Sequence, residues 1–196
     1  MNKNIRLINV PLIFLLILIF ISPVSWAATE ESLIEEALFH LEQQNYQMAE
    51  NLLEKALLLI WNKAPLELNN LTFTEDEAGG YGLYLDRDNN HFKSGETFFI
   101  YAEPKNYTIK EIDEELYEIN FKEDIYILDM EGEILWGKKE YLDFHLISHS
   151  PNKEVLITNY ITQDSPFPEG EYQFLIVIKD VFSQKTAEET ISFVID

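Results

Sequence analysis

This chain of 196 residues contains no cysteine. Its fold therefore holds without a disulfide, by burial of a core alone, and the acylated cysteine of a bacterial lipoprotein is excluded. Basic residues are scarce: 14 Lys and Arg stand against 35 Asp and Glu, a formal charge of -21. Nucleic acid and anionic membrane surfaces are poor partners for such a chain, because long-range repulsion opposes contact with any polyanion. The signatures of nucleophilic and metal-assisted hydrolysis are missing as well. There is no G-x-S-x-G, no H-E-x-x-H, and no set of S-x-x-K, S-D-N and K-T-G. The one glycine cluster, Gly79-Gly80-Tyr81-Gly82, lacks the lysine and following helix of a phosphate loop and reads as a loop or a strand-edge bulge. No cofactor is implied.

What is present begins with an apolar block. Lys3 and Arg6 precede Leu7 to Ile21, and Ser25-Trp26-Ala27 gives a small-x-small exit. This layout predicts a secretory signal peptide over 1–27 with cleavage after Ala27; an uncleaved membrane anchor is the alternative. Cleavage leaves 12 basic against 35 acidic residues, a net charge of -23. A signal peptide on a cysteine-free chain points to a periplasmic or secreted bacterial protein.

Residues 28–61 carry apolar side chains at helical spacing in two runs. Leu33, Ile34, Ala37, Leu38 and Leu41 form the first; Tyr46, Ala49, Leu52, Leu53, Ala56, Leu57 and Ile60 form the second. Gln43-Gln44-Asn45 falls between them, so the pattern predicts a helical hairpin with an apolar stripe wider than two helices can cover. The positions of Ala37, Tyr46, Ala49, Leu53 and Ala56 resemble one tetratricopeptide unit, with Gln44 where that repeat has its turn glycine and Pro65 several residues late. Only one copy occurs, whereas a peptide-binding solenoid needs about three. The hairpin is expected to pack against its own sandwich or a second copy, or to dock another protein; Tyr46 and Trp61 are the candidate contact residues.

Pro65 and its polar neighbours predict a linker over 62–70. From 71 to 196 the apolar period becomes two. Runs around Tyr81-Leu83-Leu85, "ETFFIYAE", "YEINFKEDIYILD", "EILWG", "YLDFHLIS", "EVLITNYIT", "EYQFLIVIKD" and "TISFVID" alternate with turn residues. The predicted fold is mainly β with a short α segment: an antiparallel immunoglobulin-like β-sandwich preceded by the hairpin. Gly170-x-Tyr172 leading into a long strand that ends at Lys179-Asp180 resembles the penultimate strand of fibronectin type III and immunoglobulin-like domains. That resemblance implies that the Tyr172 hydroxyl bonds back across a corner. The pair "FKSGETFFIYAEPKNY" and "PEGEYQFLIVIKDVFSQKTAEETISFVI" is similar to the sandwich domain of uncharacterised secreted bacterial proteins, which implies architecture and location and no activity.

Chemistry-bearing residues are few. His145 and His149 lie four apart in a predicted strand, so their side chains stand about 13 Å apart, too far for one shared zinc ion. Asp86, Asp88 and Asn90 have the alternation of a calcium loop, but His91 and Thr97 replace its glycine and its bidentate glutamate. They remain a weak calcium candidate against the plainer reading of a turn. "KEIDEELYE", 110–118, reads as a solvated loop or one helical turn. Tyr101, Tyr107, Tyr117, Tyr126, Trp136 and Tyr141 are the rings that a sugar-stacking face would use. The sequence thus predicts a non-enzymatic envelope protein that acts through protein contacts, with a basic protein as one class of partner and a homodimer through the hairpin as another. A carbohydrate- or calcium-binding sandwich is the alternative.

Overall fold

A computed structural model describes residues 28–162 and 167–196. The expected signal segment, 1–27, lies outside the described residues. Helix α1 (Glu30–Glu42) starts at a reciprocal cap: the Ser32 amide donates to the Thr29 hydroxyl at 3.2 Å, and the Thr29 amide donates to the Ser32 hydroxyl at 3.0 Å. Glu30 and Glu31 sit in the first turn, where the helix dipole favours them. Helix α2 (Tyr46–Lys63) follows a turn in which Gln44 adopts φ +58°, a left-handed conformation that glycine takes without cost. Pro65 ends α2 by pushing Ala64 into the extended region.

The expected linker over 62–70 is corrected by what comes next. Strand β1 (Glu67–Phe73) starts two residues after Pro65 and already pairs with β3 (Phe98–Lys105), Glu67 opposite Lys105 and Leu68 opposite Pro104. Leu66 and Leu68 are buried in the sandwich core. The alternation they start is broken by a register shift between Asn69 and Thr72, with Asn70 at φ +53°. That bulge hides the strand from a period-two reading.

Two sheets face each other across the core. The smaller has the order β1-β3-β7, with β7 at Ile157–Ile161. The larger runs β2 (His91–Phe92), β9 (Thr186–Ile195), β8 (Gly170–Asp180), β5 (Leu116–Leu128), β6 (Ile134–Ser148). Strand β6 occupies one edge of β5 along almost its whole length. On the other edge, β8 pairs with Phe121–Leu128 and β4 (Ile109–Asp113) with Leu116–Ile119. Pairing is antiparallel throughout except for the two residues of β2 beside β9. A β1-β3-β7 sheet over β9-β8-β5, with β6 as the added edge strand, is the strand arrangement of an immunoglobulin-like sandwich.

Strand β8 shows how the core is filled. Tyr172, Phe174, Ile176 and Ile178 are buried on its inner face, while Leu175 and Val177 on the outer face are half-buried. The Tyr172 hydroxyl donates to the Pro168 carbonyl at 2.9 Å. Phe174, two residues on, stands where bridged members of this architecture place a cysteine. Its ring lies 5.0 Å from Phe98 and 4.7 Å from Phe193. An aromatic cluster of Phe73, Phe92, Phe98, Phe174 and Phe193 thus joins the sheets where a disulfide would.

Two further expectations are corrected. Tyr81, Leu83 and Leu85 do not form a strand. They belong to a loop with isolated bridges, in which Gly82 takes φ +66° and Leu83 and Leu85 are exposed. "KEIDEELYE" forms neither a loop nor a helical turn: it is the β4–β5 hairpin, turning at Glu114 and Glu115, with Glu115 at φ +53°.

Candidate docking surface

The helices meet through small side chains. Ala37, Ala49 and Ala56 are buried between Leu33 and Leu52, and such residues let helix axes approach closely. Lys63 at the end of α2 pairs with Glu30 at the start of α1, with Nζ 2.5 and 2.6 Å from the two carboxylate oxygens.

Polar bonds then fix the hairpin to the sandwich. Trp61, predicted as an exposed contact residue, is only 9 % exposed. Its indole N–H donates to the Tyr107 carbonyl at 2.8 Å, and the two rings meet edge to face at 5.4 Å. The contact role expected for Trp61 is therefore corrected: the ring is a core anchor, because residue 61 turns toward the β3–β4 connection. Asn62 imitates a strand, its amide donating to the Ile109 carbonyl and its oxygen accepting from the Ile109 amide, both at 2.9 Å. Asn106, at φ +63°, donates to the Pro65 carbonyl at 3.0 Å.

Lys185, in the β8–β9 turn, completes the junction by donating to the carbonyls of Asn62, Ala64 and Asn106. A cation at the end of α2 also suits the helix dipole. Burial lowers the Lys185 pKa, and the nearby Asp180 works against that. Burial alone would raise the Asp180 carboxyl, but hydrogen bonds from Thr108, Ser183 and Phe182 outweigh it and leave the pKa lowered.

So mounted, the hairpin leaves one face bare. Leu38 and Leu41 of α1 and Tyr46, Leu53, Leu57 and Ile60 of α2 recur at helical spacing, and all are exposed, Tyr46 by 65 %. Leu41, Tyr46, Leu53 and Leu57 line a shallow groove over Ala49, with Glu50 and Glu54 at its rim. Together the six side chains expose on the order of several hundred Å², in the range of the largest patch on a typical monomer, which is often a functional one. The width of the stripe was legible in the sequence. Which residues keep it open and which anchor it was not, since Trp61 follows the stripe without a break in pattern.

The other candidates are dispersed. The Asn90 amide donates to the Ser192 carbonyl at 3.0 Å, Asp86 bridges to Thr74, and Asp88 lies on an open surface beside Arg87 and Lys93. Among the described residues no group of three or more His, Cys, Asp or Glu is placed to hold a metal ion. His145 meets Glu118 at 2.9 Å and His149 meets the Glu115 carbonyl at 3.2 Å, on the edge strand and just beyond it. Of the rings suited to sugar stacking, Tyr101 and Tyr107 are buried. The loop covers Tyr101: Tyr84 packs on it at a tilt with ring centroids 4.1 Å apart, and the Gly82 amide donates to its hydroxyl at 2.8 Å. That hydroxyl donates in turn to Glu103 at 2.6 Å.

One carboxyl was missed because β5 also carries Glu118, Lys122 and Asp124, among which Glu123 does not stand out although it shares the inward register of Phe121 and Ile125. Glu123 of β5 is fully buried and faces the core. Asn159 of β7 donates to its Oε1 at 2.6 Å, while Oε2 has no hydrogen-bond partner. Burial pushes its pKa up to about 7, with the neighbouring Asp124 adding to the effect.

No helix among the described residues is long and apolar enough to cross a membrane. No protein-family model matches the chain, and no curated protein does. Among solved structures it is similar to Spo0M, a sporulation control protein from Bacillus subtilis, at 8 % identity and a TM-score of 0.32. The likeness covers 68 % of this chain and 50 % of that one, so this chain spans half the length of the protein it matches. A likeness at that level bears on neither fold nor function.

Proposed function

We propose that this chain is a non-enzymatic protein-interaction module of the cell envelope, delivered there by its N-terminal apolar segment, and that the open face of the hairpin is its contact surface. The observation that carries this reading is a bare apolar stripe on an element held rigidly by Trp61, Asn62 and Lys185. A stripe left open by chance would cost solubility and invite aggregation. A rigid mount lowers the ordering cost of binding. The strong negative charge disfavours nucleic acid and anionic lipid as occupants and leaves protein as the natural one.

Chemical crosslinking in envelope extract tests the reading, comparing the full chain with a Leu53→Glu, Leu57→Glu variant. The expected result is one partner recovered in fixed proportion with the wild-type chain and lost with the variant. Equal recovery by both chains, or none by either, would overturn the reading.

A further inference from the structure

We infer that the occupant of the hairpin face is an amphipathic helix of another protein, about four turns long, with an apolar stripe flanked by lysine or arginine. The inference rests on the hairpin face being the contact surface and specifies what that surface receives. The exposed stripe from Tyr46 to Ile60 runs along α2 for roughly 21 Å, the length of about 14 helical residues. The groove follows α2 from Tyr46 to Leu57, with Leu41 as its contribution from α1 and Ala49 at its floor, so a third helix can lie in it with its own apolar residues against Leu41, Leu53 and Leu57.

Charge selects the helix. On the α2 side the rim is Glu50 and Glu54; on the α1 side Glu31, Glu35 and Glu42 are exposed beyond Leu38 and Leu41. The acidic rim continues past α2. Glu54 also borders a cleft of about 450 Å³ between α2 and the β4–β5 hairpin, lined by Glu111, Glu114 and Glu115, with Lys55 as the one cation among the described residues that line it. A helix with basic flanks meets acid on both sides of the groove. A second copy of this chain would bring the same acidic rims against each other, and like charges in apposition disfavour that pairing.

Site-specific photocrosslinking of the full chain in the cells that make it tests the inference. The photoreactive residue p-benzoylphenylalanine replaces Leu53 in the groove or, as a control, the exposed Glu188 of β9, and the crosslinked peptides are sequenced by mass spectrometry. The expected result is a peptide linked through position 53 and absent at 188, apolar at positions i, i+3 or i+4 and i+7, with adjacent Lys or Arg. Its yield falls at least fivefold when Glu50→Lys and Glu54→Lys are added. An extended or acidic peptide at position 53 would overturn the helix inference while leaving the contact surface standing. A peptide of this chain's own sequence would assign the face to itself and overturn the inference. No crosslink at position 53 would overturn both the inference and the contact surface.

Discussion

Glu123 binds a proton more tightly in the folded protein than in the unfolded chain, because burial disfavours its charged form, the neighbouring Asp124 adds to that, and only the Asn159 amide offsets it. Its folded pKa of about 7 lies above the ordinary 4.5, so the folded state holds the extra proton between those values and stability falls as pH rises through that window. The loss is ~3 kcal/mol by pH 8. Urea unfolding at pH 5 and pH 8 should show this decline in the wild type and a much flatter profile in Glu123→Gln; parallel profiles would contradict it. Asp180 has the opposite sign. Its lowered folded pKa gives stability that is lost only as pH falls below the usual carboxylate range, so the two effects occupy separate windows. At Gln44 the strain is in the backbone. Gln44→Gly removes a left-handed conformation that costs a side chain ~1 kcal/mol, and unfolding should show a gain of that order, with a loss contradicting the account.

The junction elements behave as one unit. Lys185→Met keeps the aliphatic stem and removes the donor to three carbonyls; the expected cost is ~2 kcal/mol. Amide exchange should quicken at Ala64, Asn106 and the last turn of α2 while the β5–β8 ladder stays protected, and uniform quickening would contradict a local role. Trp61→Ala should cost about 3–5 kcal/mol in urea unfolding, as a core truncation does; a cost under ~1 kcal/mol would return Trp61 to the surface. Elements with clean alternation, such as β8 and the inner half of β5, were readable from residue type alone. So was the Tyr172 corner, from Gly170-x-Tyr172 ahead of a long apolar strand. Strand β1 escaped because its bulge at Asn69 to Thr72 breaks the period and Pro65 reads as a linker. The β4–β5 hairpin escaped because its few apolar residues, Ile109, Ile112, Leu116 and Ile119, keep no steady period of two and are interleaved with five carboxylates at residues 111 to 118. An acidic run reads as solvent-facing whether it is a loop or an edge hairpin.

At the scale of the whole molecule, the absence of cysteine and the wide hairpin stripe were the informative features of the sequence. The first is answered by the phenylalanine cluster between the sheets, the second by a face that only part of α2 uses for anchoring. The exposed hairpin face was half legible: Tyr46 is exposed as its position implies, whereas burial of Trp61 depends on a contact 46 residues away, which no local pattern encodes. The same junction means that a chain beginning at residue 71 would lack most of β1 and the Trp61 anchor, so point substitutions report on the hairpin face more cleanly than truncation. The central claim is that Leu53 and Leu57 serve binding and contribute little to folding. Its most direct test is the unfolding free energy of the Leu53→Gln, Leu57→Gln double variant in urea, measured at several protein concentrations. The account predicts a value within ~0.5 kcal/mol per substitution of the wild type, independent of concentration; a loss of several kcal/mol would show that the face is already covered within the molecule or by a second copy, and would contradict it.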